Sequence, residues 1–186
     1  MTDTTDDATP TLETDRLLLR VPKPSDADGL AEVITDPEVM RYIGAGTPVK
    51  REDAAPAIAR FRRWWQADGF GVFAVVRRED GRFIGRAGLL AWDPTTWEHS
   101  TRAEIGAHAE LEVGWALARH AWGQGYATEA AIAVRDWAFR ELSPRRLISL
   151  IHPQNERSKR VAEKLGERYE RDIVLARGYA AYLWTT

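Results

Sequence analysis

The sequence predicts a single α/β domain in which helices flank a mixed, mostly antiparallel sheet. The chain has 186 residues, of which 44% are hydrophobic, and this suits one ordinary domain with a sizeable core. Its first half contains a hairpin pattern. Its second half contains strand, helix and strand patterns in the order of a parallel crossover.

The chain divides into a short tail and one domain. Residues 1–11 are acidic and poor in apolar side chains, so we expect a flexible tail, with the domain spanning residues 12–186. The 26 basic residues nearly balance the 28 acidic ones and form no block, which argues against a nucleic-acid or membrane partner. No apolar run approaches the roughly 20 residues of a membrane span, and the polar N-terminus is unlike a signal peptide, so we expect a cytoplasmic protein.

Four elements are predicted before residue 70: a strand at 16–20 and helices at 25–35, 36–40 and 52–66. The first of these helices opens with Ser25 and Asp28, which have the spacing of a capping box. The second opens with Asp36 as N-cap and proline at the first helical position.

The middle of the chain predicts a hairpin followed by an irregular stretch. Residues 72–76 and 83–90 are rich in β-forming side chains and are joined by a turn at 78–81. Residues 92–108 have no clear periodicity. A long irregular stretch in a compact domain is often functional, so this is a candidate substrate-facing loop, with a plain surface insertion as the alternative.

The last third predicts alternating strands and helices. Residues 111–117 alternate apolar and small or polar side chains like a strand, and apolar residues from Ala127 onward keep helical spacing. A strand at 146–151 precedes a helix that Asn155 caps and Gly166 ends, and the chain closes with two strands, at 173–175 and 179–184.

A glycine-rich loop at 122–127 lies between a predicted strand and a predicted helix. Unpaired backbone N–H groups at a helix start, with glycines that allow close approach, make an anion site, although such glycines also serve simply to make a tight turn. A P-loop is excluded because no Gly-Lys-Ser/Thr ending is present. The dinucleotide fingerprint fails because Thr128 occupies its third small position.

The segment Trp122-Gly-Gln-Gly-Tyr-Ala-Thr-Glu-Ala130 resembles the acyl-CoA pyrophosphate loop of the GCN5-related N-acetyltransferases (GNAT), in its RimJ/RimL-like form. A second stretch, from Asn155 to Gly166, resembles that branch's Asn-x-x-Ser and Lys-x-Gly helix. The sequence departs from the superfamily at Trp122, where Gln or Arg is usual, and at Glu167, where Phe is usual.

The resemblance implies a single GNAT-like domain whose two central strands part to admit acetyl-CoA as cosubstrate. It also implies that the strand before the loop, the loop itself and the following motif hold the cofactor, through Val113, Trp115, Leu117, Trp122, Gly123, Gln124, Gly125, Tyr126, Ala127, Thr128, Asn155 and Ser158. Asn155 could hold a pantetheine amide, cap its helix, or do both.

Attack on a thioester requires a neutral amine, so a base near the acetyl group assists. A glutamate on the strand before the pyrophosphate loop often has this role in the family. Glu112 is therefore the first candidate, with Glu110, Glu104 or water as alternatives, although a glutamate on the polar side of a strand is often only solvated.

The departing thiolate needs a proton donor. The family's usual tyrosine position is Ala162, and the resemblance gives this role to Ser158, which shares a helical face with Ala162. The alternative is a first-turn hydroxyl that bonds back to its own backbone.

Two kinds of site are not expected. The chain has no cysteine, which removes disulfides and a covalent cysteine intermediate. Its 4 histidines show no metal-ligand spacing, so we predict no metal site.

The predicted function is direct transfer of acetyl to an amine. The acceptor could be a protein N-terminal α-amine, as the RimJ/RimL likeness suggests, or a small amine or antibiotic, and a non-catalytic acyl-CoA-binding regulatory module is the alternative function. Because an α-amine is more readily neutral than a lysine-type amine, we expect peptides with free N-termini to be acceptors. Four carboxylates could attract a basic peptide or an aminoglycoside: Asp93, Glu98, Glu104 and Glu110. A homodimer is possible.

Overall fold

The computed structural model describes residues 9–186, which form one continuous sheet with helices on both faces. The strands are β1 (Leu12–Glu13), β2 (Leu17–Arg20), β3 (Val72–Arg77), β4 (Phe83–Trp92), β5 (His99–Ser100), β6 (Glu110–Leu117), β7 (Ile148–Ile151), β8 (Arg168–Val174) and β9 (Ala180–Thr185). The helices are α1 (Ala27–Ile34), α2 (Pro37–Met40), α3 (Ala54–Asp68), α4 (Arg102–Ile105), α5 (Tyr126–Glu141) and α6 (Glu156–Lys164).

The sheet is mixed, as predicted. Its order is β1-β2-β3-β4-β6-β7-β9-β8, with β5 paired to β4 as a side branch. Every pairing is antiparallel except the one between β6 and β7. That parallel pair is registered only at Glu112 and Ile148, so the two strands meet at one point and then diverge. Two central strands that part are what the resemblance to GNAT enzymes implied.

The two faces of the sheet have different coverings. The larger hydrophobic cluster joins Leu111, Val113 and Leu117 of β6 to Ala130 and Val134 of α5, and we refer to this side as the α5 face. On the opposite side, Ala116 packs with residues of α1, α2 and α3, and we refer to this side as the α3 face. Because side chains alternate along a strand, Glu112 lies on the α3 face.

Most predicted elements are confirmed within a few residues. The early hairpin is the antiparallel pair of β3 and β4, and Gly69 ends α3 in a left-handed conformation with φ 71°. Asp36 caps α2 through its side chain, which accepts a hydrogen bond from the Glu38 N–H at 2.9 Å. The predicted tail falls mostly on residues 1–8, which lie outside the described residues.

Three predictions require correction. The capping box of Ser25 and Asp28 is wrong, because Asp26 instead accepts from the Lys23 N–H at 2.7 Å and from both terminal nitrogens of Arg20. The strand predicted at 173–175 begins earlier, at Arg168, because pairing with β9 orders a polar, exposed segment. The stretch predicted as irregular contains the short elements β5 and α4.

No helix among residues 9–186 combines the length and apolar character needed to cross a bilayer.

Candidate functional site

The site begins where β6 and β7 part. There, the buried Ser149 hydroxyl lies 2.9 Å from the Val113 carbonyl and 3.1 Å from Glu167 Oε1. One hydroxyl hydrogen cannot serve two acceptors, so both bonds form together only when Glu167 is protonated and donates to Ser149. The hydroxyl then satisfies a β6 carbonyl at the divergence of the strands and helps to fix the apex of the cleft.

Glu167 is a carboxyl group in an apolar core, with an exposed fraction of only 2%. Burial raises its pKa to about 8, and the negative charge of Glu112 adds to this shift, whereas a bond donated by the Ser149 hydroxyl to the charged form opposes it. Its second oxygen, Oε2, has no hydrogen-bond partner among residues 9–186. The family's usual phenylalanine is thus replaced by a carboxyl group that the structure favours in its neutral form.

The glycine loop forms the start of α5. Gly123 and Gly125 adopt left-handed conformations, with φ 76° and 82°, and both are exposed. The first hydrogen bond into the helix runs from the Glu129 N–H to the Gly125 carbonyl at 3.0 Å. The N–H groups of the preceding helical residues therefore lie before the helical ladder, where an anion such as a pyrophosphate fits.

Trp122 links the glycine loop to neighbouring elements through a hydrogen bond and a cation–π contact. Its indole N–H donates to the Leu117 carbonyl at the end of β6, at 2.8 Å. The guanidinium of Arg157, near the start of α6, lies 4.3 Å from the centre of the indole ring. Trp122 thus connects the glycine loop both to β6 and to the second motif, which are separated in the sequence.

The residues predicted to bind the cofactor differ in how much of each is exposed to a ligand. Val113 and Leu117 are buried in the core, with 0% and 4% exposed, and their carbonyls accept from the Ser149 hydroxyl and the Trp122 indole. Tyr126 is also buried, and its ring packs under the Arg16 guanidinium at 4.5 Å. Trp115 remains partly exposed beside Ile151. The exposed stretch comprises Gly123, Gln124 and Gly125, and Ala127 and Thr128 are partly exposed.

The start of α6 contains the second motif. Asn155 Oδ1 accepts from the Ser158 N–H at 3.2 Å, so the helix-capping role of Asn155 is observed, and its amide NH₂ remains on the other branch of the side chain. Ser158 is partly buried, one helical turn before Ala162. Within residues 9–186 its hydroxyl makes no hydrogen bond, so the alternative of a bond back to its own helix is not observed.

Glu112 lies on the α3 face at the apex of the cleft and is partly buried. Its Oε2 accepts from the indole N–H of Trp92 at 2.6 Å. Burial raises the pKa of the Glu112 carboxyl above its usual value, while the Trp92 hydrogen bond and the charge of Arg86 hold it down. A carboxylate of raised pKa that is held in one orientation is suited to accept a proton.

The two alternative glutamates have other partners. Glu110 accepts from Arg146 at 2.6 and 3.1 Å, which is a bidentate ion pair. Glu104 accepts hydrogen bonds from the Ser100 hydroxyl and the Thr101 N–H, and the Ser100 bond is the larger cause of its lowered pKa. A carboxylate held in its charged form by such bonds is a weaker base than one whose pKa is raised.

Further aromatic rings pack beside Trp92, which holds the carboxylate. The ring centre of His99 lies 5.1 Å from Trp92 and 5.5 Å from Trp64, both in edge-to-face contact. Partial burial lowers the pKa of His99, and the positive charges of Arg60, Arg177 and Arg86 lower it further. From the sequence, core or rim packing is the favoured interpretation of Trp64 and Trp92, since nothing in their local pattern connects them to Glu112.

No group of three or more His, Asp or Glu side chains able to hold a metal ion occurs within residues 9–186. Arg119, which the glycine loop follows, pairs with Asp36 at 3.1 Å.

Comparison with known proteins agrees with this arrangement. A family model described as an acetyltransferase (GNAT) domain matches residues 16–168. The uncharacterized protein YkkB of Bacillus subtilis (strain 168) is 34% identical over 167 residues, covering 87% of each chain. The uncharacterized N-acetyltransferase YnaD of the same organism is 30% identical over 159 residues, covering 86% of this chain and 83% of its own.

A crystal structure of an acetyltransferase from Agrobacterium tumefaciens str. C58 superposes with a TM-score of 0.76 at 27% identity, covering 100% of this chain and 99% of the other. The family match spans most of the chain, and the cleft, the glycine loop and the free helix start fit a CoA thioester. The protein therefore belongs to the GNAT acetyltransferase family and uses acetyl-CoA as its acetyl donor.

Proposed function

We propose that this enzyme transfers acetyl directly from acetyl-CoA to an α-amine, with Glu112 as the general base. The observation that supports this most is the 2.6 Å hydrogen bond from the Trp92 indole to Glu112 Oε2. It holds a partly buried carboxylate in one orientation at the point where the cleft opens, and a backbone contact with Leu150 also favours the charged form of this group. A glutamate that was merely solvated would have neither the indole donor nor the raised pKa.

The proposed reaction balances within the site. The amine passes its proton to Glu112, directly or through water, and its nitrogen forms a bond to the acetyl carbon. The C–S bond then breaks. The sulfur takes a proton from Ser158, whose hydroxyl makes no hydrogen bond within the described part of the chain. Protons from Glu112 and solvent restore the site, so the products are an amide and CoA.

Acetyl-CoA is proposed to bind across both motifs. The N–H groups at the start of α5, flanked by Gly123 and Gly125, would hold the pyrophosphate. The amide of Asn155 and the part of β6 beyond its meeting point with β7 would meet the pantetheine. These contacts are assigned by the family resemblance, at positions of this chain where backbone or amide groups are accessible.

The RimJ/RimL-like form of both motifs favours an α-amine as the acceptor. An α-amino group, with a pKa near 8, is partly neutral at pH 7, whereas a lysine-type amine is almost wholly charged. An enzyme whose general base is a single carboxylate is therefore expected to use the α-amine. A purely CoA-binding module has less support, because it would not require a carboxylate oriented at the apex of the cleft.

The experiment is an assay of CoA release with a panel of free α-amines, including short peptides and small amines. N-terminally capped peptides that contain an internal lysine are the matched controls. We expect transfer to free α-amines and little to the capped peptides. Tight acetyl-CoA binding without transfer to any amine would instead identify a binding module.

A further inference from the structure

Arg86 is a partly buried cation that has no ionic partner in the described part of the chain. It lies on β4, on the α3 face. Its guanidinium takes part in no hydrogen bond or ion pair within residues 9–186 and packs over the ring of Phe61 at 5.9 Å. A buried charge without a counter-ion costs free energy, and proteins usually pair it. This arginine is therefore available to an anion from outside the chain.

The surface between Arg86 and Glu112 carries no side chain. Along the β4–β6 ladder, Arg86 pairs with Ala116 and Leu90 pairs with Glu112, and the pair between them is Gly88 with Gly114. A Cβ added to Gly114 would approach only the Glu112 side chain, whose Oε1 is 3.5 Å away. The pair of Arg86 and Ala116 lies four residues from the pair of Leu90 and Glu112 along the strands. At about 3.3 Å per residue, their Cα atoms are about 13 Å apart. A Cβ added to Gly88 would instead meet the Gly71 carbonyl oxygen at 2.3 Å and Val72 Cα at 2.5 Å, so the open space between the two charged side chains lies beside Gly114.

Arg86 and Glu112 shift each other's pKa although their charged groups are not in contact. The Glu112 carboxylate partly offsets the effect of burial on the pKa of Arg86, and Arg86 does the same for Glu112. They nevertheless form no ion pair within 4.0 Å. If the protein needed this pair only for stability, direct contact would be expected. The separation leaves room for a ligand between them.

We propose that the acceptor is a small zwitterion, an amine that also carries a carboxylate or similar anionic group, with its amine at Glu112 and its anionic group at Arg86. This rests on the proposed function and narrows its acceptor class to free amino-acid-like compounds. Trp92 holds the Glu112 carboxylate, and Phe61 packs against the Arg86 guanidinium, so an apolar ring lies beside each of the two charged groups.

The basic acceptor expected from the acidic residues 93–110 has less structural support. Glu110 is neutralised by Arg146, and Glu104 is bonded to Ser100. Asp93 Oδ1 accepts from the Thr95 N–H at 2.7 Å. Of these carboxylates, Glu110 is neutralised by a cation, whereas Asp93 and Glu104 keep their charge and are bonded to neighbouring groups of their own segment.

The test compares free amino acids with their α-amides in the wild-type enzyme, by CoA release at saturating acetyl-CoA. Amidation removes the negative charge while keeping the shape. It also lowers the pKa of the neighbouring amine, which alone would favour the amide. We expect kcat/KM to be about 10- to 100-fold higher for the free acid, the range for one charge-assisted hydrogen bond.

Arg86 is then replaced. Arg86→Gln is expected to raise KM for the free amino acid about 10- to 100-fold and to change KM for the amide far less, and Arg86→Lys is expected to restore part of the preference. Because Arg86 also lowers the pKa of Glu112, acid and amide are compared at a pH above the acid limb of each variant's kcat profile. Arg63→Gln, an exposed position on α3, is the matched control and should keep the preference. If Arg86→Gln does not fold, the wild-type comparison still decides.

The outcomes separate the two proposals. Equal use of acid and amide by the wild-type enzyme overturns the zwitterion assignment and leaves the proposed function intact. A preference that persists in folded Arg86→Gln also overturns the assignment of the anionic subsite to Arg86. Absence of transfer to any amine, peptides included, overturns the proposed function and this inference with it.

Discussion

The indole nitrogen of Trp92 donates a hydrogen bond to Glu112 Oε2 over 2.6 Å, although the two residues are 20 positions apart in the chain. The bond forms because β4 and β6 are neighbours, with Leu90 opposite Glu112 and Trp92 one pair further along the same face. It fixes the carboxylate at the apex of the cleft and lowers its pKa against the effect of burial.

Trp92→Phe removes this donor while keeping an aromatic ring. Because the bond lowers the pKa of Glu112, its loss raises that pKa, and the carboxylate form is reached only at higher pH. The acid limb of the kcat profile is therefore expected to move to higher pH, with activity recovering toward the plateau. A profile that keeps its shape and falls uniformly at all pH values would mean that Trp92 acts only in packing.

Glu112→Gln tests the base itself. Turnover is expected to fall about 10- to 10³-fold near neutral pH, with acetyl-CoA binding retained. The deficit should shrink at high pH, where the amine loses its proton without help. Glu104→Gln serves as the comparison, since that carboxylate is exposed and bonded to Ser100. A large loss in Glu104→Gln with normal turnover in Glu112→Gln would move the base to Glu104.

Ser158→Ala tests the proton donor to the departing sulfur. We expect turnover to fall by roughly 10- to 100-fold, in the lower part of the range for general acid catalysis, with little change in the melting temperature. The stability should hold because the side chain makes no hydrogen bond within residues 9–186 and the cap comes from Asn155. Thermal unfolding and single-turnover kinetics measure the two effects separately, and unchanged kinetics would remove Ser158 from the reaction.

Gly125→Val tests the glycine loop through backbone strain. Gly125 has φ 82°, which a β-branched residue adopts only at a cost, and its new Cβ would point at Arg16, 3.4 Å from Nη2. We expect the stabilisation by acetyl-CoA in thermal unfolding to be lost. Gly81→Val, at φ 67° in the β3–β4 turn, is the matched control and should lower stability while retaining the shift. Loss of the shift in both variants would point to general destabilisation.

Glu167→Gln tests the buried carboxyl through stability. In the folded protein its pKa is about 8, whereas an unfolded glutamate has a pKa near 4.3, so between these values the native state binds more protons than the unfolded state. The free energy of unfolding contributed by Glu167 is therefore fully present at low pH and falls as pH rises. At its steepest the loss is about 1.4 kcal/mol per pH unit.

Glutamine preserves the shape and cannot ionise. The variant is expected to gain stability relative to the wild type as pH rises from about 5 to 8, the difference levelling off beyond that. Denaturant unfolding at several pH values measures it. A difference that stays constant over this interval would contradict a neutral carboxyl at the apex of the cleft.

The sequence by itself determined the local elements and the cofactor motifs. Helix caps such as Asp36 and Asn155, the period of β6 and the glycines before α5 depend on neighbours within a few residues, which a sequence displays directly. The predicted capping box of Ser25 and Asp28 was wrong because a residue outside that four-residue pattern took part in the local hydrogen bonds. Arg20, six positions from Asp26, drew that carboxylate into an ion pair and moved the helix start.

Only the tertiary structure decided which distant side chains meet. Trp92 reaches Glu112, and Arg86 faces that carboxylate across two glycines, because the β4–β6 register sets them on one face. Ser149 reaches Glu167 because β7 and the chain after α6 close on the same point. Strand register and burial depend on contacts between residues far apart in the chain, and no local pattern encodes them.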